Sequence, residues 1–575
     1  MTSVNRPMGG RSSSRITQSD STTARLLNPK ADNPANAGGR RMESNLADNG
    51  PLPRFFLASI VIVTVGGFLL RLPSFHDSLF GDEISTYFIV VGNGLGRVLR
   101  IVESNQETSP PLYFIVAWLT KGLFSSPAES IRLISLITGT AAIPLTFLLG
   151  LWTVGRRSAL VGAVCMAFSP YMIFYSSEAR PFMLMMFFVL LSTLALLRAL
   201  RTGRFGWWIG YAVLTCAAMY THYTAVFLLV VQLAWAFLTY RQARRALIVS
   251  NVAAVVGFLP WINGFREDLH APNFISALAP VNFHDLQTIV ETSWIGHPET
   301  AIGRLPGEFT VAIAGAGLLV ALIGLTLRAR ATGGSWWRLP RQKTLIVLLA
   351  VAPCVLVALY SWLRTDIFGG PFLIASWPGL ALAIGGLVTS PRKFLRLAAV
   401  ALTIGAFAVG GFKMLGSTAQ RPNVDAVVAY INHVGRKGDP IVCLGFFANP
   451  LSECDVALAD SGQREDHPVI RLGSPTRALQ VSHLSGDDPQ PVFFGLPVTP
   501  PQDVAAQAVA LAKHGTIFFV SYSTSLVPNN ADVQSAQFLK ALPPSFHIVK
   551  HLTFSGYAGG FLQNLDVIRN SSLHQ

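Results

Sequence analysis

Apolar and polar positions alternate along the chain in long blocks. Eleven apolar stretches between residues 55 and 412 carry almost no charge. A bilayer core needs about 20 consecutive apolar residues for each helical crossing, so these stretches predict membrane-spanning helices. We place them near residues 55–72, 131–154, 158–176, 180–200, 205–221, 223–240, 245–263, 308–328, 344–362, 371–390 and 394–412.

A shorter apolar run, from Leu112 to Phe124, is predicted not to cross the membrane. Its length of about 13 residues is less than the roughly 20 that a crossing requires. Counting it would also place Arg156, Arg157 and the later basic loops outside, although such residues favour the cytoplasmic side. We therefore predict an interfacial or re-entrant helix there, with the N-terminus in the cytoplasm and the C-terminal region outside.

The composition agrees with a polytopic membrane protein. Of the 575 residues, 51% are hydrophobic and 13% are charged, and the mean hydropathy is +0.46. The net charge of +14 is spread over short loops between apolar runs instead of forming one basic domain. We interpret this charge as membrane topology and expect membrane lipids, but no nucleic acid, among the partners.

Three regions are predicted along the chain. Residues 1–53 are rich in Ser, Asn, Gly, Arg and Pro, which is typical of a disordered tail, here cytoplasmic. Residues 54–412 form the membrane region, with longer external loops at 73–130 and 264–307. Residues 413–575 have a mixed composition and predict a small extracytoplasmic α/β domain. Its expected elements are helices over 424–434 and 505–513 and buried strands over 440–446 and 516–522.

Five cysteines are too few and too scattered for a disulfide framework or a zinc site. Cys443 and Cys454 are close together in the polar C-terminal region. They can form a disulfide if that region is extracytoplasmic, and the sequence leaves this open.

The unusual polar groups of the membrane region fall on one predicted face. Asp82 and Glu83 follow the first span, and Arg180, His222 and Arg364 lie on the same side. Ordinary roles are available for each: Asp82 and Glu83 can begin a helix, Arg180 can reach lipid headgroups, and His222 can bond a backbone carbonyl. Their shared side and their order favour a functional role.

Four segments resemble those of bacterial C-type glycosyltransferases (GT-C), most closely the branch of the protein O-mannosyltransferases, the lipid A aminoarabinose transferase and the lipopolysaccharide core galacturonosyltransferases. The segments are Gly81-Asp82-Glu83, Ser109-Pro110-Pro111-Leu112-Tyr113, residues 175–182 and residues 220–223. The resemblance covers roughly residues 55–400. It implies an α-helical GT-C-like membrane protein of about 11 transmembrane helices, in a bacterial inner membrane.

The resemblance also implies an activity, an inverting transfer of a sugar from a polyprenyl-phosphate donor. The acceptor would be a hydroxyl of a cell-envelope glycolipid, polysaccharide or protein at the outer face. Asp82 matches the family's acidic position after the first span and is the expected catalytic base. Glu83 is the alternative base, or orients Asp82 or binds the acceptor.

Other site residues follow from the charge of the leaving phosphate, which donors or cations on the same face must balance, and, for the acceptor, from the external loop of the fold that the chain resembles. Arg180, His222 and Arg364 are expected to bind the donor phosphate, and His297 and Glu299 are expected to meet the acceptor. No cofactor is certain. A divalent metal held by Asp82, Glu107 or His222 stays open, because some relatives depend on metals, although these ligands show no recognisable spacing.

The sequence departs from the family pattern at two places. Relatives commonly carry an Arg-Tyr pair at the start of the span that here reads Gly369-Gly370-Pro371-Phe372-Leu373, and this chain has neither residue there. They often carry a basic residue or His where this chain has Ser109. A transporter or flippase is one alternative, because it could also have many spans and polar residues at one face, although the sequence has neither an internal repeat nor a charge deep in a span. A catalytically degenerate assembly scaffold is the other. The sequence identifies neither the sugar, nor the acceptor, nor the polyprenol length.

Overall fold

The computed structural model describes residues 52–104, 107–270, 283–332, 339–364, 367–444, 452–462, 466–472, 499–524, 530–557 and 561–573. Nearly all of the predicted N-terminal tail therefore lies outside the described residues. The described residues are mostly helical and form one small sheet near the C-terminal end.

Helices occupy all eleven stretches that were predicted to cross the membrane. The α-helices of this region are α1 (Arg54–Phe75), α2 (Glu83–Val90), α3 (Leu95–Glu103), α4 (Leu112–Thr120), α5 (Pro127–Thr153), α6 (Arg156–Phe168), α7 (Pro170–Ser176), α8 (Phe182–Thr202), α9 (Phe205–Thr221), α10 (Ala225–Thr239), α11 (Arg244–Phe258), α12 (Ile262–His270), α13 (Phe283–Trp294), α14 (Glu308–Thr332), α15 (Arg341–Leu363), α16 (Trp377–Val388) and α17 (Lys393–Lys413). Short 3-10 turns extend α11 to α12 and precede α16.

The helices that can cross a membrane are fewer than the predicted spans. Within the described ranges, eight helical segments are long and apolar enough to cross, or nine if the bent pair α6 and α7 forms one span. The remaining two predicted spans are α9 and α10, which have 17 and 15 residues. The chain is thus a multi-pass membrane protein by the length and composition of its helices.

Two local features refine the predicted spans. The stretch predicted as one helix over 158–176 is broken, because α6 and α7 meet at a bend of 60°. The break falls at Ser169, whose hydroxyl caps α7, and Pro170 begins α7 at a position where its missing N–H costs nothing. Helix α4 has nine residues, about 14 Å in length, and is too short to cross.

The membrane helices pack closely where small residues allow it. Gly385 in α16 faces the backbone of α6, and a Cβ atom there would lie 2.3 Å from the carbonyl oxygen of Ser158. Any larger residue would force the two helices apart. The fully buried side chains of this region include two arginines, Arg71 and Arg132, together with the large apolar Trp377.

The C-terminal region contains a five-stranded mixed sheet with strand order β2-β1-β3-β5-β4. Strands β1 and β2, and β1 and β3, are parallel, whereas β5 pairs antiparallel with β3 and β4. A disulfide joins Cys443 to Cys454, with 6.3 Å between their Cα atoms. The strands are β1 (Ile441–Leu444), β2 (Val469–Leu472), β3 (Thr516–Thr524), β4 (Phe546–Gly556) and β5 (Phe561–Asn570), and the helices are α18 (Val424–Val434), α19 (Glu453–Asp460), α20 (Pro501–Leu511) and α21 (Asn530–Ala541).

Candidate active site

A tight turn presents the predicted catalytic acids after the first span. Gly81 has a φ of 63°, a conformation that glycine adopts without the cost that a side chain brings. Asp82 then occupies the N-cap position of α2, and Glu83 is its first residue. The Asp82 side chain makes no capping hydrogen bond, so helix capping does not explain the residue.

Glu83 is held by two arginines in the interior. Arg132 Nε and Nη2 lie 2.7 Å and 2.5 Å from its two carboxylate oxygens, and Arg421 Nε lies 3.3 Å away. The backbone N–H of Ala179 donates a further bond at 2.8 Å. Burial opposes ionisation of Glu83, but the charges of Arg132 and then Arg421 outweigh it and hold the pKa of this carboxyl below its usual value.

The same two arginines fix the chain that leads into Asp82. Arg132 donates to the carbonyl oxygens of Phe75 at 3.1 Å and Ser78 at 3.0 Å. Arg421 donates to the carbonyl oxygen of Ser74 at 3.0 Å, and its backbone N–H donates to Asp77 Oδ2 at 3.1 Å. We call Glu83, Arg132 and Arg421 the Glu83 network. It ties the turn before Asp82 to both α5 and the C-terminal region.

Asp82 differs sharply from its neighbour. It is half-buried, and its carboxylate makes no hydrogen bond or ion pair with any residue that the structure describes. Burial raises the pKa of Asp82, and the carboxylates of Glu107 and Glu83 add to this, while Arg180 opposes it. An unpaired carboxylate with a raised pKa suits the removal of a proton from an incoming group.

Arg180 lies beside Asp82 and pairs with another acid. Its Nη1 and Nη2 atoms donate to the two oxygens of Glu107 at 2.7 Å and 3.2 Å, and Glu107 also accepts from Ser109 at 2.9 Å. Arg180 Nε is buried and has no partner among the described residues. Because a guanidinium has five N–H donors, this pairing leaves donors free for another acceptor.

His222 is buried at the end of α9 and is a neutral hydrogen-bond donor. The backbone N–H of Thr224 donates to its Nδ1 at 3.2 Å, so the ring proton sits on Nε2. Burial, with a smaller effect of Arg180, lowers the pKa of His222 to about 3. The residue can donate one hydrogen bond to a phosphate but supplies no positive charge there.

His297 and Glu299 lie close to the same acids. Burial and then the charge of Asp82 raise the pKa of Glu299 to about 7. His297 is fully buried, accepts from the Glu299 N–H at 3.1 Å, and packs its ring against Phe174 and Tyr557 at 4.9 Å and 5.6 Å. Burial and Arg421 lower its pKa to about 3. Glu299 is therefore near Asp82, whereas the ring of His297 is packed against Phe174 and Tyr557.

Arg364 and a metal fit this arrangement poorly. Arg364 is exposed at the end of α15, and no described contact joins it to the acids. Both oxygens of Glu107 are taken by Arg180, and the described part of the chain holds no cluster of three or more metal-ligating side chains. We therefore derive no step through a metal.

Some residues of the site were not identified from the sequence. The sequence does offer evidence for Arg132, because an arginine at the edge of an apolar span is costly in a membrane and often functional. Glu178 was noticed only as part of its motif, yet burial and then the charges of Glu83 and Asp82 raise its pKa well above the usual value. Arg421 and Tyr557 had no local signal, because they reach the site from the far end of the sequence.

Comparisons with known proteins bear on this geometry. Residues 108–262 match the family described as dolichyl-phosphate-mannose-protein mannosyltransferase, a stretch that includes Arg180 and His222 but not Asp82. No curated protein matches the chain at the sequence level. The chain is similar in structure to ArnT from Cupriavidus metallidurans in the apo state, with a TM-score of 0.51 and 13% identity over 90% of this chain and 98% of that one.

Two further solved structures are similar to it. ArnT from Cupriavidus metallidurans bound to undecaprenyl phosphate gives a TM-score of 0.52 and 12% identity, covering 91% of this chain and 99% of that one. The Archaeoglobus fulgidus oligosaccharyltransferase tethered to an acceptor peptide gives a TM-score of 0.46 and 12% identity, covering 82% and 69%.

The chain has the fold of the C-type glycosyltransferases. The resemblance noted in the sequence is thus confirmed for the fold and for the segment from Thr108 to Ile262. The C-type glycosyltransferase fold spans almost the whole chain, because the match to ArnT covers 90% of it.

Proposed function

We propose that this protein is a glycosyltransferase that moves a sugar from a polyprenyl-phosphate donor to an acceptor hydroxyl. The fold, the family match over residues 108–262 and the polar cluster around Asp82 support the proposal. The acceptor belongs to a glycolipid, a polysaccharide or a protein of the cell envelope. A donor with an isoprenoid tail must be met at a membrane surface, which suits an enzyme of this kind.

We place the site at the outer face of a bacterial inner membrane, with the N-terminus in the cytoplasm. The basic loops favour this orientation, because Lys and Arg concentrate on the cytoplasmic side. The disulfide between Cys443 and Cys454 also fits, since disulfides persist in oxidising compartments.

The reaction is a single displacement that inverts the anomeric carbon. The acceptor oxygen attacks that carbon and forms the new glycosidic bond while the bond to the phosphate oxygen breaks. Asp82 takes the proton of the acceptor hydroxyl, and polyprenyl phosphate leaves with the bonding electrons. Because the lipid phosphate is a good leaving group, no general acid is required.

The leaving phosphate gains negative charge that must be balanced. Arg180 supplies charge and free N–H donors beside Asp82, and His222 supplies one neutral donor from Nε2. Glu107 holds the Arg180 guanidinium in a defined orientation and reduces its net charge. Glu299, near Asp82, is the best-placed residue to bind the acceptor.

The contrast between the two neighbouring acids carries this assignment. Glu83 has three partners and no freedom to accept a proton, whereas the Asp82 carboxylate has none among the described residues. Asp82 is therefore the base, and Glu83 is a positioning residue.

The test is transfer by the purified full chain in detergent. Labelled undecaprenyl-phosphate sugars are supplied as donors with an envelope extract as acceptor, and the release of undecaprenyl phosphate is measured. We expect Asp82→Asn to lower kcat by about 10²–10⁴-fold, the usual contribution of a general base. Its melting temperature should stay unchanged, because the Asp82 carboxylate has no hydrogen bond or ion pair to lose with the residues that the structure describes.

The matched control is Glu103→Gln, which removes an exposed carboxylate of α3 and should keep full activity. Full activity of Asp82→Asn would refute the assigned base. Transport of labelled donor across vesicles without release of undecaprenyl phosphate would refute the transferase itself.

A further inference from the structure

A groove lies between three membrane helices, far from Asp82. It is a cavity of about 590 Å³ lined by residues of α1, α6 and α17 and by Thr389 at the end of α16. This volume is within the roughly 300–1,000 Å³ that is common for ligand sites. The groove begins at Phe55, in the first turn of α1. The candidate active site around Asp82 follows the last turn of the same helix, about 30 Å away along the helix axis.

The walls of the groove are apolar, and one end carries three cations. Phe56, Val63, Leu160, Val164 and Ile404 are among the apolar lining residues. The cations are Arg157, Lys393 and Arg396. None of the three forms an ion pair with a carboxylate in the part of the chain that the structure describes.

Helix geometry adds to the positive end. Arg157 lies in the first turn of α6, and Lys393 is the first residue of α17. The N-terminus of α1 also lies at this end of the groove, because Phe55 and Phe56 line it. Three helix N-termini carry partial positive charge and unpaired backbone N–H groups, so they add to the attraction for an anion.

We propose that this groove binds an anionic phospholipid of the bilayer. The headgroup phosphate lies against Arg157, Lys393 and Arg396, and an acyl chain follows the apolar wall toward Val63. Basic pockets between membrane helices on the cytoplasmic side recognise anionic headgroups in this manner. A zwitterionic lipid would fill the apolar part equally well but would leave the three cations without net compensation.

Lipid competition on the purified full chain tests the proposal. The protein in detergent is incubated with equal amounts of phosphatidylglycerol and phosphatidylcholine, and native mass spectrometry counts the retained lipids. We expect the chain to retain phosphatidylglycerol several-fold over phosphatidylcholine. The triple variant Arg157→Gln, Lys393→Gln, Arg396→Gln should lose this preference.

The matched control removes three exposed arginines elsewhere on the predicted cytoplasmic face, as Arg204→Gln, Arg241→Gln, Arg245→Gln. It changes the net charge by the same amount and should keep the preference. Equal loss in both triple variants would overturn the proposal, because it would show attraction to total charge alone.

A second variant tests the apolar part with the cations in place. Ser59 lines the groove, and Ser59→Trp should block the acyl chain and lower phosphatidylglycerol retention several-fold. Unchanged retention would overturn the lipid site in favour of a surface that binds only phosphate groups. Gel filtration of each variant shows that it is folded before its lipids are counted.

Discussion

The Glu83 network and the Asp82 face, by which we mean Asp82 with the nearby Arg180 and Glu107, differ in how their charges are satisfied, although Asp82 and Glu83 are adjacent in sequence. In the network, a fully buried carboxylate is shared by two buried arginines that also donate to five backbone carbonyl groups. On the Asp82 face, a half-buried carboxylate has no described partner, and Arg180 keeps free donors. Glu83 is thus held by the network, whereas Asp82, the residue before it, is the acid that we propose as the base.

The largest expected effect breaks the Glu83 network. Glu83→Gln leaves Arg132 and Arg421 buried without their carboxylate, which should cost about 3–5 kcal/mol of folding free energy. Unfolding in detergent, followed by loss of helical signal, measures this change. Activity should fall as well, because the turn before Asp82 loses its support.

The exposed pair between Lys437 and Asp466 provides the control for that variant. The two side chains are 78% and 37% exposed, so Asp466→Asn should leave stability unchanged. A Glu83→Gln protein as stable as the wild type would show that the network does not support the turn.

The second effect separates positioning from chemistry. Arg421 contacts Glu83 and Asp77 but not Asp82, so Arg421→Gln should displace the turn and lower kcat by about 10–100-fold. The acid limb of the pH profile should stay in place, because Arg421 does not set the pKa of Asp82. Arg421→Lys should recover part of kcat, and the exposed Arg436→Gln should have no effect.

A shift of the acid limb in Arg421→Gln would contradict this division of roles. It would mean that Arg421 acts directly on the charge of Asp82. Arg421 would then influence Asp82 itself, and not only the position of the turn through the Glu83 network.

The smallest effect concerns the pH dependence of Asp82 itself. Burial raises its pKa, so kcat/KM should rise with pH through a limb above the value of about 3.9 that an ordinary aspartate shows. The charge of Arg180 opposes this rise of the pKa, so Arg180→Gln should move the acid limb to higher pH. Arg180→Lys keeps the positive charge, so its limb should lie at lower pH than that of Arg180→Gln. A pH–rate profile of each variant measures the limb, and an unmoved limb in Arg180→Gln would break the link between the two residues.

The sequence predicted the membrane helices because long apolar runs are a strong signal. All eleven predicted stretches are helical, yet the bend between α6 and α7 was missed, although Pro170 marks it. In the C-terminal region, the helix over 424–434 and the strands near 441 and 516 were predicted from apolar patterns. Strands β2, β4 and β5 were not, because their mixed residues depend on neighbours in the sheet.

The candidate site was only partly predictable for a different reason. Asp82, Glu83, Arg180 and His222 belong to local motifs, so the sequence singles them out. Which acid is held and which is free depends on arginines that are distant in sequence, and no spacing rule identifies Arg421 as a partner of Glu83. The neutral state of His222 likewise follows from its burial, which a single sequence does not display.

The contact between Arg421 and Asp77 spans 344 residues of the chain, and this has a consequence for biosynthesis. At about 5–20 residues per second, a ribosome needs roughly 17–70 s to make the intervening polypeptide. The loop that carries Asp82 therefore waits, without its final support, until every membrane helix has been synthesised. A nascent chain should therefore gain this support for the turn only after Arg421 has been synthesised.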